Sequence, residues 1–89
     1  MQQKSFTPFQ MAVLGVVASI PRGEVRTYKE VAMAAGYPNS ARAVGSVMKH
    51  NWNPEIPCHR VIRSDGSLGQ YNRGEDRKRA RLVEEGAIQ

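Results

Sequence analysis

The chain has 89 residues, 40% of them hydrophobic and 24% charged, which is typical of one small globular domain rather than a disordered segment. Its 13 Lys and Arg against 8 Asp and Glu give a net charge of +5, which modestly favours a polyanionic partner such as nucleic acid. The single cysteine excludes an internal disulfide and a multi-cysteine zinc site, and no apolar run suits a signal peptide or a membrane span. We therefore expect a monomeric cytoplasmic protein, nucleoid-associated and without a membrane partner.

The first predicted helix is "TPFQMAVLGVVASI". Thr7 is a suitable N-cap, Pro8 suits the first helical position, and Gln10 completes a capping box. The "PRG" run at residues 21–23 ends the helix. Its apolar residues recur at helical spacing and predict a face that packs in the core, formed by Phe9, Val13, Val16, Val17 and Ile20.

Two further helices follow closely and predict a helix-turn-helix. In "TYKEVAMAAG", Thr27 and Glu30 form a second capping box, and Gly36 suits a left-handed helix end. After "YPNS", Asn39 or Ser40 caps the helix "ARAVGSVMKH". This third helix is rich in small side chains, which would let its backbone approach a DNA groove or, alternatively, pack against the first helix.

The C-terminal half contains an extended loop, a turn and a last helix. The prolines of "NWNPEIP" disfavour helix, and "VIRSDGSLGQY" predicts a β-hairpin that turns at Asp65-Gly66. "GEDRKRARLVEEGAIQ" predicts a helix whose basic cluster faces either phosphates or solvent, and that cluster comprises Arg77, Lys78, Arg79 and Arg81. The expected fold class is mainly α with a small β-hairpin, a winged helix-turn-helix-like single domain over residues 1–89.

The only cysteine, Cys58, lies in "EIPCHRVIR", and its surroundings leave two interpretations open. A lone cysteine is usually buried as a small apolar side chain. However, Pro57 stiffens the backbone before it, and His59 follows as a potential proton acceptor, which favours a reactive thiol. Adjacent side chains can point to opposite sides, so direct contact with His59 is not assured. A metal site built from these two residues and His50 lacks the usual ligand number and spacing, so we expect no metal.

The segments "IPCHRVI", "ARAVGSVMKHN", "TYKEVA" and "SLGQYNRG" together resemble the C-terminal domain of the O6-alkylguanine-DNA alkyltransferases, also called methylated-DNA–protein-cysteine methyltransferases. The resemblance extends from about Phe9 to Gly86. It implies a DNA repair protein that flips O6-alkylguanine out of duplex DNA and transfers the alkyl group irreversibly to a cysteine, without a cofactor. The family's N-terminal domain is expected to be absent.

The resemblance also assigns catalytic roles. Cys58 is the alkyl acceptor, and His59 relays its proton through water to Glu85, which matches a buried glutamate. Asn51 matches an asparagine that braces the active-site loop, and Tyr28 matches a tyrosine whose hydroxyl approaches the base and aids its rotation and protonation.

The resemblance further implies DNA and lesion contacts. Arg42 matches the finger that enters the base stack in place of the flipped guanine. The rest of the expected DNA-binding surface lies on the same helix, at Ser40, Ala41, Ala43, Gly45 and Lys49. The carbonyls of Cys58 and Val61 should receive the guanine amine, while Tyr71 and Asn72 should contact the O6 side of the lesion.

Departures from the family pattern support an alternative. Asn72 replaces a common Ser, Arg73 replaces a smaller or different residue, and the loop between Asn51 and Cys58 is one residue shorter. The short chain and its tail also resemble the alkyltransferase-like proteins, which bind the lesion without transfer, recruit excision-repair proteins and carry Trp in place of the reactive Cys. A third hypothesis is a helix-turn-helix regulator with an inert cysteine.

Overall fold

The computed structural model describes residues 6–51, 53–69, 71 and 73–89. These residues form four helices, one short 3₁₀ turn and two very short strands. In chain order the elements are α1 (Pro8–Ala18), β1 (Arg26–Thr27), α2 (Tyr28–Ala34), α3 (Ala41–His50), the 3₁₀ turn (Cys58–Arg60), β2 (Val61–Ile62) and α4 (Glu75–Glu84). The expected mainly helical architecture is confirmed, with α2 and α3 packed as the helix-turn-helix pair.

Both predicted capping boxes are present. The Thr7 hydroxyl accepts from the Gln10 amide at 3.1 Å, and the Gln10 side chain accepts from the Thr7 amide at 2.9 Å. Thr27 and Glu30 make the same reciprocal bonds at 3.0 and 2.8 Å. These contacts satisfy amides that the first turn of a helix leaves without partners, and they fix where α1 and α2 begin.

The core lies where α1, α2 and α3 meet the 3₁₀ turn. Three residues of the predicted α1 face are buried, while Phe9 and Val16 pack at its edge. The buried core residues at this junction are Val13, Val17, Ile20, Val31, Ala32, Val44, Met48, Cys58 and Val61. Within the described residues, no helix is both long and apolar enough to cross a membrane.

The predicted β-hairpin is wrong in its strand pairing, although its turn forms. The Gly66 amide donates to the Arg63 carbonyl at 3.0 Å, and the Arg63 amide donates to the Ser67 carbonyl at 2.9 Å. In the described part of the chain, however, β2 pairs in parallel with β1, Arg26 lying opposite Val61. Gly69 explains the difference, because its φ of +76° bends the returning segment away from an extended strand.

The parallel pair has a consequence for the site. β1 leads directly into α2 at Tyr28, and β2 leads directly out of the turn that holds Cys58. Pairing these two strands therefore places the start of the helix-turn-helix beside the cysteine turn.

The interpretation of the basic cluster on α4 as one surface is wrong for Lys78. Its neighbours Arg77 and Arg79 are exposed, but Lys78 is 0% exposed and is among the largest fully buried side chains. Helical spacing explains this, since Lys78 and the buried Leu82 are four residues apart and share the inward face of α4.

Candidate active site and nucleic-acid interface

Cys58 begins the 3₁₀ turn and is only 6% exposed. Its sulfur accepts a hydrogen bond from the side-chain amide of Asn51 at 3.2 Å. The thiol also lies 3.5 Å from the Ile56 carbonyl oxygen, within reach as a hydrogen-bond donor. Asn51 thus links the end of α3 to the sulfur.

His59 and Glu85 form a buried pair. Nε2 of His59 lies 2.9 Å from Oε2 of Glu85, and the two side chains are 1% and 3% exposed. Burial lowers the pKa of His59 below its ordinary value, and the hydrogen bond to Glu85 only partly offsets that effect. The imidazole is therefore neutral near pH 7.

The pair also determines which nitrogen of His59 carries the proton. An ionised carboxylate can only accept, so Nε2 of His59 must donate to Glu85, and Nδ1 is left as an unprotonated acceptor. Nδ1 is buried and has no hydrogen-bond partner among the described residues. The arrangement therefore provides a neutral base one residue from the thiol.

Arg60 supports the His59–Glu85 pair, a contact that the sequence did not predict. Its guanidinium donates to Glu85 through Nε at 2.9 Å and Nη2 at 2.8 Å, and its Nη1 donates to the Ile20 carbonyl at 2.8 Å. These bonds to Arg60 are the largest reason that the pKa of Glu85 falls to about 2, with the His59 hydrogen bond contributing less. The only sequence signal was its place in the Cys-His-Arg run, which gives no partner 25 residues away.

A cationic groove runs beside α3. It has a volume of about 640 Å³. Among the residues that the structure describes, its lining includes four basic side chains, those of Lys29, Arg42, Lys49 and Arg63, and no Asp or Glu. Such a surface favours a phosphate backbone. The remaining lining residues are Tyr28, Ala41, Gly45, Ser46, His50 and Ser64.

The groove brings together most, but not all, of the expected DNA-binding residues. Ala41, Arg42, Gly45 and Lys49 line it, whereas Ser40 and Ala43 do not. The lining positions on α3 follow a helical period, and position 43 falls outside that face. The sequence did not predict the contributions of Lys29, Arg63 and Ser64, because the groove is completed by α2 and by the turn after β2. Ser46, one of the small α3 residues expected to approach a groove, and His50 also line it.

Two glycines lie against Tyr28. A Cβ added at Gly45 would lie 3.9 Å from the Tyr28 ring, so α3 approaches that ring closely. A Cβ at Gly69 would lie 2.9 Å from the Tyr28 hydroxyl, and the positive φ of Gly69 further disfavours any side chain there. The Tyr28 hydroxyl therefore rests against the backbone at Gly69.

Two of the expected lesion contacts, the Val61 carbonyl and Tyr71, lie at or near the cysteine turn. The carbonyl of Val61 accepts from Nζ of the buried Lys78 at 2.6 Å, and a carbonyl has a second lone pair for another donor. Tyr71 lies near the cysteine turn, its ring centroid 6.4 Å from that of His59. Asn72 lies outside the described residues. Within those residues, no group of three or more His, Cys, Asp or Glu could hold a metal ion.

Comparisons with known proteins point to one family. Residues 8–87 match the family described as 6-O-methylguanine DNA methyltransferase, DNA binding domain. The methylated-DNA–protein-cysteine methyltransferase of Methanosarcina barkeri is 51% identical over 75 residues, which cover 81% of this chain and 46% of that protein. That of Methanothermobacter thermautotrophicus is 49% identical, over 90% of this chain and 45% of that protein. The chain thus spans less than half the length of these two relatives.

Two solved structures of similar fold are complexes with DNA. Mycobacterium tuberculosis OGT in complex with DNA matches with a TM-score of 0.86 and 45% identity, over 91% of this chain and 50% of that one. S. pombe Atl1, in complex with damaged DNA containing O6-carboxymethylguanine, matches with a TM-score of 0.81 and 42% identity, over 93% of this chain and 80% of that one.

The buried carboxylate makes a prediction about acid stability. Because the pKa of Glu85 in the folded state lies below its ordinary value of 4.5, its contribution to stability is full above about pH 4.5 and is lost as pH falls towards 2. Glu85→Gln should lower the free energy of unfolding at pH 7 by about 3 kcal/mol, because it leaves the Arg60 charge buried without its partner. Urea unfolding at pH 7 and at pH 3 measures both effects.

The adjacent Glu84 supplies the matched control, since it is exposed. Glu84→Gln should change the unfolding free energy by less than about 0.5 kcal/mol at either pH. Equal losses in the two variants would show that the Glu85 pair contributes nothing particular to stability.

Proposed function

The chain belongs to the O6-methylguanine-DNA methyltransferase family, and we propose that it repairs DNA by transferring the alkyl group of O6-alkylguanine irreversibly to Cys58. The observation that carries this proposal is the Cys58 sulfur, which accepts an amide N–H from Asn51 and adjoins a neutral, carboxylate-bound His59. A buried structural thiol needs neither neighbour. The partner is duplex DNA that contains the lesion, bound by a monomer in the cytoplasm, in association with the nucleoid.

Binding begins at the cationic groove. Lys29, Lys49 and Arg63 can neutralise phosphates along the duplex, while the exposed Arg42 on α3 is the side chain assigned to enter the base stack. Guanine O6 within a duplex is not accessible to in-line attack, so the nucleotide must be flipped out. Flipping costs a few kcal/mol of unstacking, which an inserted Arg42 partly offsets.

The transfer step needs only this chain's side chains. The Cys58 thiol gives its proton to Nδ1 of His59 through an intermediary, and Glu85 stabilises the imidazolium that forms. The thiolate then attacks the alkyl carbon: the S–C bond forms, the C–O6 bond breaks, and the electron pair of the broken bond passes to guanine. The Tyr28 hydroxyl donates a proton to the departing base, and the proton held by the His59 imidazolium is returned to Tyr28 through solvent. The net result is guanine with the proton and Cys58 with the alkyl group.

The thioether product has no route back to the thiol in this site. Each molecule therefore acts once, and no cofactor takes part in the proposed step. Arg60 contributes by keeping Glu85 ionised, so that the carboxylate remains an acceptor for His59 throughout the reaction.

A lesion-binding protein without transfer activity is the second candidate. The observation that favours it is the match, at a TM-score of 0.81 and 42% identity, to S. pombe Atl1 in complex with damaged DNA containing O6-carboxymethylguanine. In this alternative the groove and Arg42 keep their roles, Cys58 stays unmodified, and excision-repair proteins are recruited.

Intact mass separates the two candidates. After incubation with a duplex that carries O6-methylguanine, the protein should gain one methyl group at a one-to-one limit, and Cys58→Ser should gain nothing. Tight binding to the lesion with unchanged mass would contradict transfer and support the second candidate. Equal affinity for damaged and undamaged duplexes, with sequence preference, would instead indicate a regulator.

Arg42 makes a separate prediction about base flipping. Arg42→Ala should slow transfer from duplex DNA by about 10-fold or more, the equivalent of losing roughly 1.4 kcal/mol of compensation for unstacking. Reaction with free O6-benzylguanine should be nearly unchanged, because that substrate needs no flipping. Arg79→Ala, on the exposed side of α4, is the control. Equal loss on both substrates would contradict the finger role.

A further inference from the structure

His50 ends α3 and lines the cationic groove, yet the proposed mechanism gives it no role. Its side chain is exposed, and Nδ1 lies 2.9 Å from the carbonyl oxygen of Ser46, one helical turn earlier. Within the part of the chain that the structure describes, no hydrogen bond or ion pair involves the other ring nitrogen, Nε2. The ring is therefore held at one nitrogen and available to a ligand at the other.

The bond to Ser46 determines where the neutral ring carries its proton. A backbone carbonyl oxygen can only accept, so Nδ1 of His50 must donate. In the neutral ring Nε2 is then a bare acceptor, and it cannot hydrogen-bond a phosphate diester oxygen, because that oxygen also only accepts. One added proton turns Nε2 into a donor and the ring into a cation.

The charges of the groove oppose that proton until a polyanion is present. In the DNA-free protein, repulsion comes from four basic side chains on three elements, those of Lys29 on α2, Arg42 and Lys49 on α3, and Arg63 after β2. The described lining has no Asp or Glu to balance them, and Tyr28 is its other titratable side chain. Phosphates in the groove neutralise these cations and add negative charge beside the ring. Occupation of the groove by DNA therefore favours the protonated form of His50.

We propose that His50 is a proton-linked phosphate contact: the ring gains a proton when duplex DNA enters the groove, and its Nε2 then donates to a phosphate oxygen. Histidine is the side chain that ordinarily changes its charge between pH 5 and 8, so affinity for DNA rises as pH falls through this range. Since linkage is reciprocal, the tighter binding at low pH and the uptake of a proton on binding are one effect. The inference rests on the proposed DNA-binding groove but not on alkyl transfer.

Binding of an undamaged duplex at fixed ionic strength tests this contact without repair chemistry. The dissociation constant of the unmodified chain, measured by fluorescence anisotropy, should be about 5-fold lower at pH 6 than at pH 8. His50→Gln cannot gain a proton, so it should lose most of this difference and bind at both pH values as the unmodified chain binds at pH 8. His50→Arg carries a charge at both pH values, so it should also lose the difference but bind more tightly than His50→Gln.

Lys49→Gln is the matched control, because it removes a basic side chain from the adjacent position of the same groove. A lysine ordinarily stays charged over this pH range, so the variant should bind more weakly at both pH values and keep the difference between them. Burial lowers the pKa of Lys78 to about 8, but Lys78 is present in every variant, so its titration cannot account for differences among them. A thermal melt at each pH checks the folding of each variant.

Histidine NMR locates the proton directly. The chain has two histidines, and His59 is buried outside the groove lining, so the two rings are readily distinguished by His50→Gln. The midpoint of the His50 titration should lie at a higher pH in the DNA complex than in the free protein.

The outcomes for His50 and for the proposed function are distinguishable. A pH dependence as large in folded His50→Gln as in the unmodified chain, pH-independent binding by the unmodified chain, or a His50 midpoint that DNA leaves unchanged or lowers would each overturn the role of His50, whether or not the chain transfers methyl groups. Absence of methyl transfer, combined with pH-dependent binding that His50→Gln loses, would overturn the proposed transfer and leave the role of His50 established.

Discussion

The buried carboxylate of Glu85 joins three parts of the chain that are distant in sequence. It accepts from Arg60 and His59 in the cysteine turn, and Arg60 in turn donates to the Ile20 carbonyl just beyond α1. Removing these charges from water costs several kcal/mol, which only a fully hydrogen-bonded arrangement offsets. Three side chains of specified geometry are therefore needed together, and the result is a neutral His59 whose orientation and tautomer are fixed.

Helix α4 and the residue directly after it contact the cysteine turn and the strand that follows it at two points. Glu85, directly after the helix, holds the His59 side, and Lys78, in the first half of the helix, holds the Val61 side. The two groups carry opposite charges, and both are buried. Beyond Tyr28, the groove carries positive charge for a polyanion. The chemistry of the site thus depends on a helix that contributes no residue to the groove.

Local signals in the sequence predicted the first two helices and the helix-turn-helix well. Capping boxes at Thr7 and Thr27 involve residues three apart, so a linear sequence displays them completely. The family resemblance likewise rests on contiguous motifs, and it supplied Glu85 as the partner of His59. By contrast, the hairpin was wrong because its pattern showed alternation and a turn but not the competing partner strand at Arg26–Thr27.

The sequence patterns did not predict the contacts between charged groups that are distant in sequence. In the sequence, Arg60 is one of several basic residues, and only the structure shows that its Nη2 donates to Oε2 of Glu85 at 2.8 Å. Lys78 likewise appears in the sequence as part of a basic cluster, whereas the structure shows that it is buried. Helical spacing from Leu82 could have placed Lys78 on the inward face, but no pattern predicts that a lysine there keeps its charge. Charged groups that act through buried contacts are thus the residues most easily missed.

The tautomer of His59 is the most direct test of the account, since the buried carboxylate is inferred to determine it. Nitrogen-15 NMR of the two imidazole rings at pH 7 distinguishes protonated from unprotonated ring nitrogens, and Glu85→Gln assigns the affected ring. The account predicts a neutral His59 with its proton on Nε2 and a bare Nδ1 in the DNA-free protein. An imidazolium, or a proton on Nδ1, would contradict it, because no base would then be available to receive the thiol proton.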